Sequence, residues 1–201
     1  MKKALMYCFG MFILISVFAS CSSVRVVRTD TDTVTDLSGR WNDTDSRLVA
    51  EEMIADSLSR PWLEQFYANE DRPPVIIVGT IRNRSSEHIG TQVFTKDIER
   101  EFVNSGQVAL VASAEERGEI REERADQQSE SSFDTLKRIG QETGADYMMI
   151  GTISSITDQV DNVRAILYQV DMELIHIESN VKAWIGSTEI KKVIERSTVK
   201  F

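Results

Sequence analysis

Apolar and polar residues repeat along this chain with two periods, one near 3.6 and one of 2, and the period predicts the elements. Val49, Ala50, Met53, Ile54 and Leu58 recur at helical spacing while Glu52 and Asp56 face the other way. That pattern predicts an amphipathic helix capped near Asp43 to Asp45. Pro61 breaks it and opens a short second helix, Trp62 to Tyr67. Asn69 to Pro74 leads into Val75-Ile76-Ile77-Val78, a strand continued through Gly79-Thr80-Ile81. A run apolar on both faces predicts a central strand covered by helices. The strand empties into a polar loop, Arg82-Asn83-Arg84-Ser85-Ser86-Glu87-His88. Phe94, Ile98 and Phe102, at i, i+4 and i+8, predict a third helix stopped by Asn104-Ser105-Gly106, and Val108 to Val111 a second strand.

Ser113 and Glu116 have the spacing of a capping box, so a helix begins there. The pairs Glu115/Glu119, Arg117/Arg121 and Glu119/Glu123 then place like charges at i, i+4, which weakens a helix. Glu115 to Ser132 reads as a frayed, solvated helix or a mobile loop, with a partner-facing arm as the sharper alternative. Phe133, Leu136 and Ile139 predict one more amphipathic helix, ended by Gly144 in the C′ role. Asp146 to Ser154 is a third strand. Ile166, Tyr168, Val170, Met172 and Leu174 alternate with Gln169, Asp171 and Glu173, the signature of a half-buried antiparallel strand. Glu178-Ser179-Asn180 turns the chain, and Val181 to Ile194 returns. The fold class is α/β (α+β), a small mixed β-sheet of about five strands flanked by helices and ending in an antiparallel hairpin.

The N-terminus obeys a different rule. Lys2 and Lys3 precede an apolar run from Ala4 through Ala19, too short for a comfortable membrane span. This is the layout of a secretory signal peptide, and Val17-Phe18-Ala19-Ser20-Cys21 resembles the lipobox of bacterial lipoproteins, with Phe18 where Leu is usual. The expected plan is a signal at 1–20, a lipid anchor at Cys21 with a short tether to residue 42, and a globular domain over 43–201. An uncleaved anchor with an incidental cysteine is the alternative. Ser22 to Asp36 shows no helical apolar period, and its roughly 15 residues reach only about 50 Å when extended. Trp41, in a turn-rich stretch, is assigned to the core, with a partner contact as the other option.

The 201 residues carry 23 Lys+Arg against 32 Asp+Glu, a formal charge of −9. Loss of Lys2 and Lys3 with the signal leaves 21 against 32, or −11. That balance argues against nucleic acid and against charge-driven adhesion to anionic membranes. Cys8 and Cys21 are the two cysteines, so cleavage before Cys21 leaves no disulfide and no thiol nucleophile. His88 and His176 have no third ligand at metal spacing, no Gly-x-Ser-x-Gly turn exists, and the ten glycines are scattered. Carboxylates are plentiful, but nothing singles out a pair. No catalytic residue, metal or cofactor is assigned. The distinctive stretch is Arg82 to His88, since loops leaving a central strand at its C-terminal end are favoured contact sites. Arg82, Asn83, Arg84, Ser85 and His88 are the candidate partner-binding residues; alternatively Asn83 and Ser85 only satisfy their own backbone.

Val78-Gly79-Thr80-Ile81-Arg82-Asn83-Arg84-Ser85 resembles the strand and Asn-Arg-Thr/Ser loop of the LpoB-type lipoproteins, activators of penicillin-binding proteins. Gly144-Ala145-Asp146-Tyr147, and Ala183-Trp184-Ile185-Gly186 in place of a Trp-Ser-Gly pattern, extend the likeness from roughly Ser46 to Ile190. The resemblance implies an outer-membrane lipoprotein facing the periplasm. It would bind a class A penicillin-binding protein and raise its glycosyltransferase and transpeptidase activities without catalysing either. Ser22 after the lipidated cysteine fits sorting to the outer membrane. Two departures stand out: the tether is far shorter than the long, often Pro-rich one of such activators, and the turn at Glu178-Ser179-Asn180 lacks their Gly. The same fold group includes the curli-secretion lipoprotein CsgG and the N-terminal domain of TolB. A structural subunit of an envelope secretion or transport complex is therefore the second reading, and an envelope hydrolase the third. Cys21→Ser is expected to leave the melting curve unchanged, move the protein from the membrane to the soluble envelope fraction, and abolish envelope function; retained function would show that the anchor is dispensable.

Overall fold

The computed structural model describes residues 27–30, 33–129 and 144–195. By contact the chain forms two units, Met1–Val34 and Thr35–Phe201. In the first, the described residues form neither helix nor strand, and the Thr33 N–H donates to the Asp30 carbonyl at 3.1 Å. The expected signal segment and Cys21 lie outside the described residues, as does the helix expected over Phe133, Leu136 and Ile139. No described helix is long and apolar enough to cross a membrane.

The second unit runs α1 (Asp43–Leu58), α2 (Pro61–Asn69), β1 (Val75–Asn83), α3 (Thr91–Ser105), β2 (Ala109–Leu110), α4 (Ala114–Ser129), β3 (Tyr147–Val160), β4 (Val163–His176) and β5 (Lys182–Glu195). The five strands form one mixed sheet in the order β2-β1-β3-β4-β5. Strand β1 pairs in parallel with β2 and β3, while β3, β4 and β5 form antiparallel ladders. This is the expected α+β class, closing on a hairpin.

The cap of α1 is Asn42, one residue before the expected Asp43 to Asp45. Asn42 accepts from the Asp45 N–H at 3.0 Å, and Asp45 accepts from the Asn42 N–H at 2.9 Å. A cap of this kind is worth about 1 kcal/mol, whereas each fully buried large apolar side chain contributes about 1.5–3 kcal/mol. Burial of Val49, Met53 and Ile54 therefore decides where the helix lies. They join Phe94, Ile98 and Phe102 of α3, Trp62, Leu63 and Phe66 of α2, and the inner sheet face, Ile76, Ile81, Met149, Ile153, Ile166, Val170, Met172 and Leu174. Gly106 ends α3 in the left-handed conformation, φ +65°.

The two faces of β1 are not equally covered. Ile76 and Ile81 are buried, whereas Ile77 and Gly79, on the other face, are half-buried. On that face Gly79, Arg82, Met148, Ile150, Asp171 and Glu173 line a shallow groove of about 380 Å³. Helices α1, α2 and α3 all pack on the core face, and the further helix expected over Phe133, Leu136 and Ile139 lies outside the described residues. Helix α4 is continuous to Ser129 and largely exposed over residues 119–123. Its start is held by the Ser113–Glu116 capping box, and Lys96 of α3 binds Glu116 at 2.7 Å. Lys96 pulls the Glu116 carboxyl down to about 2.

Strand β3 runs six residues past the expected Ser154. Ser155 to Val160 are polar or exposed, and the ladder to β4, from Ser155↔Tyr168 to Val160↔Val163, holds them extended. Asp161 makes the turn at φ +51°, a conformation its short polar side chain tolerates. At the other turn Asn180 takes φ +59°, filling the place of the missing glycine. His176 is structural there: its Nδ1 accepts from the Ser179 N–H at 3.2 Å, and its ring packs edge-on to Tyr147 at 5.1 Å. Trp184 of β5 donates to Asp56 of α1 at 2.8 Å. Its indole lies across Gly186, where a Cβ would stand 2.1 Å from the ring, so the Trp-x-Gly spacing has a steric cause.

Asp146 locks the start of β3 to the start of β1. It accepts two 2.7 Å bonds from Arg72 and one of 2.8 Å from the Val75 N–H. The Arg72 guanidinium, followed by that N–H, holds the carboxyl below the ordinary carboxylate range. The lowered value means the bond stabilises the fold above the unfolded-state value near 4 and is lost as pH falls through the folded one. Asp146→Asn should cost on the order of 1 kcal/mol at neutral pH, the half-exposed Arg72 being screened by solvent. It should also flatten the fall in melting temperature between about pH 5 and pH 2. An unchanged acid limb in thermal melts would count against the assignment.

Candidate functional site

The loop after β1 starts from a strand and ends beside the core. Arg84 N–H donates to the Ile153 carbonyl at 2.8 Å, extending the β1–β3 pairing by one bond. Ser86 N–H donates to Ser155 Oγ of β3 at 3.1 Å. Between them the loop is braced internally. Asn83 Oδ1 accepts from the Ser85 N–H at 2.9 Å and the Ser85 hydroxyl at 2.7 Å, while Asn83 Nδ2 donates to the Glu87 carbonyl at 2.7 Å. The Glu87 N–H returns to Ser85 Oγ at 3.2 Å. Asn83 and Ser85 thus make the Asx-type bonds that short polar side chains make in turns.

What this leaves outside includes two guanidinium groups and an imidazole. Arg82, Arg84 and His88 are exposed. Arg82, on the opposite strand face from the buried Ile81, lines the shallow groove with Asp171 and Glu173. The five candidate residues therefore divide: Asn83 and Ser85 shape the loop, Arg84 and His88 stand on it, and Arg82 opens toward the other sheet face. Among the described residues no group of three His, Cys, Asp or Glu side chains is placed to hold a metal.

Sequence reasoning missed Glu87, whose backbone belongs to the loop and whose side chain turns inward. Tyr168, fully buried at the centre of β4, donates its hydroxyl to Glu87 Oε2 at 2.7 Å. The other carboxylate oxygen faces Arg164 at 3.9 Å. Burial, then the Glu87 carboxylate, pushes the Tyr168 phenol well above its ordinary value, so it stays protonated and donates. The same hydroxyl accepts from the Trp41 N–H at 3.2 Å. Trp41 packs edge-on against Tyr168 at 5.6 Å and Phe94 at 6.0 Å, as a lid on the core. No local signal announces these bonds, because their partners are 81 and 127 positions apart.

Residues around Trp41 are also fastened by a buried cation. Lys192 of β5, 8% exposed, binds Asp45 and Asp36 at 2.6 Å each and donates to the Arg40 carbonyl at 3.1 Å. Desolvation alone would lower its value, and the two carboxylates raise it above the ordinary lysine value instead. Residues 35–42, the end of the expected tether, belong by contact to the folded unit.

The family model for the peptidoglycan-synthase activator LpoB matches residues 45–190, more than half of the chain. The chain belongs to the LpoB family. That family is regulatory, not catalytic, and acts on peptidoglycan synthesis in the cell envelope. The LpoB C-terminal domain from Escherichia coli is similar over 76% of this chain and 99% of that one, at 17% identity and a TM-score of 0.42. The same domain from Salmonella enterica is similar over 65% and 93%, at 18% identity and a TM-score of 0.36. Lipoprotein GNA1162 from Neisseria meningitidis is similar over 63% and 88%, at 16% identity and a TM-score of 0.41. No curated protein matches the chain.

Proposed function

We propose that this LpoB-family protein is a non-catalytic activator that binds a class A penicillin-binding protein. In this reading it works from the periplasmic side of the outer membrane, anchored by a lipid on Cys21. The observation that carries the reading is the family match over residues 45–190. A class A enzyme joins glycosyltransferase and transpeptidase in one chain, so a protein bound beside it raises both without supplying a reacting group. Residues 1–20 serve as the lipoprotein signal and 21–42 as anchor and tether, the last stretch of which, 35–42, packs with the globular domain over 43–201. From Cys21 to the first residue of the compact unit, Thr35, the chain is short enough to reach only about 50 Å. The body therefore meets its synthase close to the outer membrane.

The contact surface is the loop Arg82 to His88. Asn83 and Ser85 hold its backbone in one shape, which lowers the ordering cost of binding. Arg84 and His88 present donors from a rigid base, and Arg82 extends the surface at the strand end. On a chain of net charge −9, this loop is a place where an acidic partner segment meets attraction rather than repulsion. Arg84→Ala should weaken binding to a purified class A synthase about tenfold, the size of a modest hot spot. Its melting temperature should stay near wild type because the side chain is exposed. Calorimetric titration with a parallel thermal melt reads both. A large fall in melting temperature would make Arg84 a structural residue, and unchanged affinity would remove the loop from the interface.

A further inference from the structure

The bonds around Tyr168 join two parts of the molecule that have separate tasks. On one side is Asp36–Trp41, the first stretch of the folded unit and the end of the path from Cys21. On the other is the loop Arg82–His88. Tyr168 Oη touches both, accepting from the Trp41 N–H at 3.2 Å and donating to Glu87 Oε2 at 2.7 Å. A hydroxyl that accepts one bond while donating another is polarised by the first, so the two bonds support each other. Glu87 Oε1 is buried and makes no hydrogen bond among the described residues, with Arg164 at 3.9 Å as its counter-charge. Tyr168 is thus the close donor on which the buried carboxylate depends. Losing that donor would leave a buried anion short of a partner and push residue 87 outward.

We infer that Tyr168 is the positioning residue of the loop, and that it couples the loop's partner affinity to whether Asp36–Trp41 lies docked on the core. This rests on the loop being the partner surface. Two clamps set the docked state. Lys192 holds Asp36 and the Arg40 carbonyl, and the Trp41 indole donates to Ser46 Oγ at 2.8 Å. Asn42 Nδ2 also donates to Asp36 Oδ1 at 2.7 Å, so Asp36 ties this segment to the α1 cap. A chain whose residues 36–41 are drawn off the core gives up the Trp41–Tyr168 bond. The Tyr168–Glu87 bond then loses the support of the Trp41 bond, and the Glu87 side chain is held less firmly. The body binds its synthase best when this segment is seated and less well when it is pulled away.

The test is residue-resolved hydrogen exchange and synthase titration on the full chain, comparing wild type with Tyr168→Phe and Asp36→Ala. Tyr168→Phe removes only the hydroxyl. Asp36→Ala acts on the far clamp and touches no loop residue. Both should speed exchange about fivefold at the Trp41 amide and at the amides of Arg84, Ser86 and Glu87, as expected for weakening one net hydrogen bond. Both should lower synthase affinity by a similar factor. Faster exchange at Trp41 in Asp36→Ala with wild-type exchange in the loop would overturn the coupling. Coupled exchange with unchanged affinity would uphold the link and overturn the loop's place as the partner surface.

Discussion

A phenol hydroxyl inside an apolar core must find partners, and the way Tyr168 finds them organises one end of this molecule. Its ring is fully buried between Trp41 and the inner sheet face, where burial is favourable. Its oxygen would cost about 1–3 kcal/mol if left alone. It is not alone, because Trp41 donates to it and Glu87 accepts from it. The same constraint applies to Lys192, an ammonium placed against the helices and met by Asp45, Asp36 and a carbonyl. Two polar groups set in an apolar layer thus draw in the chain segments that could satisfy them. They recruit the N-terminal stretch of the compact unit and the loop after β1.

Where the fold follows from local chemistry, the sequence showed it. The helical stripes of α1 and α3, Pro61 at the first turn of α2, and Gly106 past the end of α3 each act through neighbours a few residues away. The alternation in β4 and the left-handed Asn180 belong to the same class. What stayed hidden depends on distant partners. Ser155 to Val160 carry no strand signature of their own and are extended because β4 pairs with them. In the candidate loop, Asn83 and Ser85 announced a turn and formed one. Glu87 looked like a solvated neighbour of His88, and only the fold shows it reaching Tyr168.

These facts bear on function in one direction. The family to which the chain belongs regulates synthases instead of performing their chemistry. A regulator by contact needs a surface of fixed shape and a place to stand. Here the shape comes from a loop braced by its own side chains and pinned to β3. Under the proposed function, the place comes from a short connection to the membrane. A few hydrogen bonds through Tyr168 link the loop to the segment where that connection would end, so that under the proposed function anchoring and recognition are physical neighbours.

The contacts made by the loop in living cells bear most directly on the central claim. A photo-crosslinking amino acid at position 84, in the full-length chain expressed at its normal level, reports those contacts without purification. If the loop is the synthase-binding surface, an adduct forms with a class A penicillin-binding protein and is lost when an unlabelled copy of the protein competes. Adducts only with components of a secretion or transport assembly, and none with a synthase, would contradict that role.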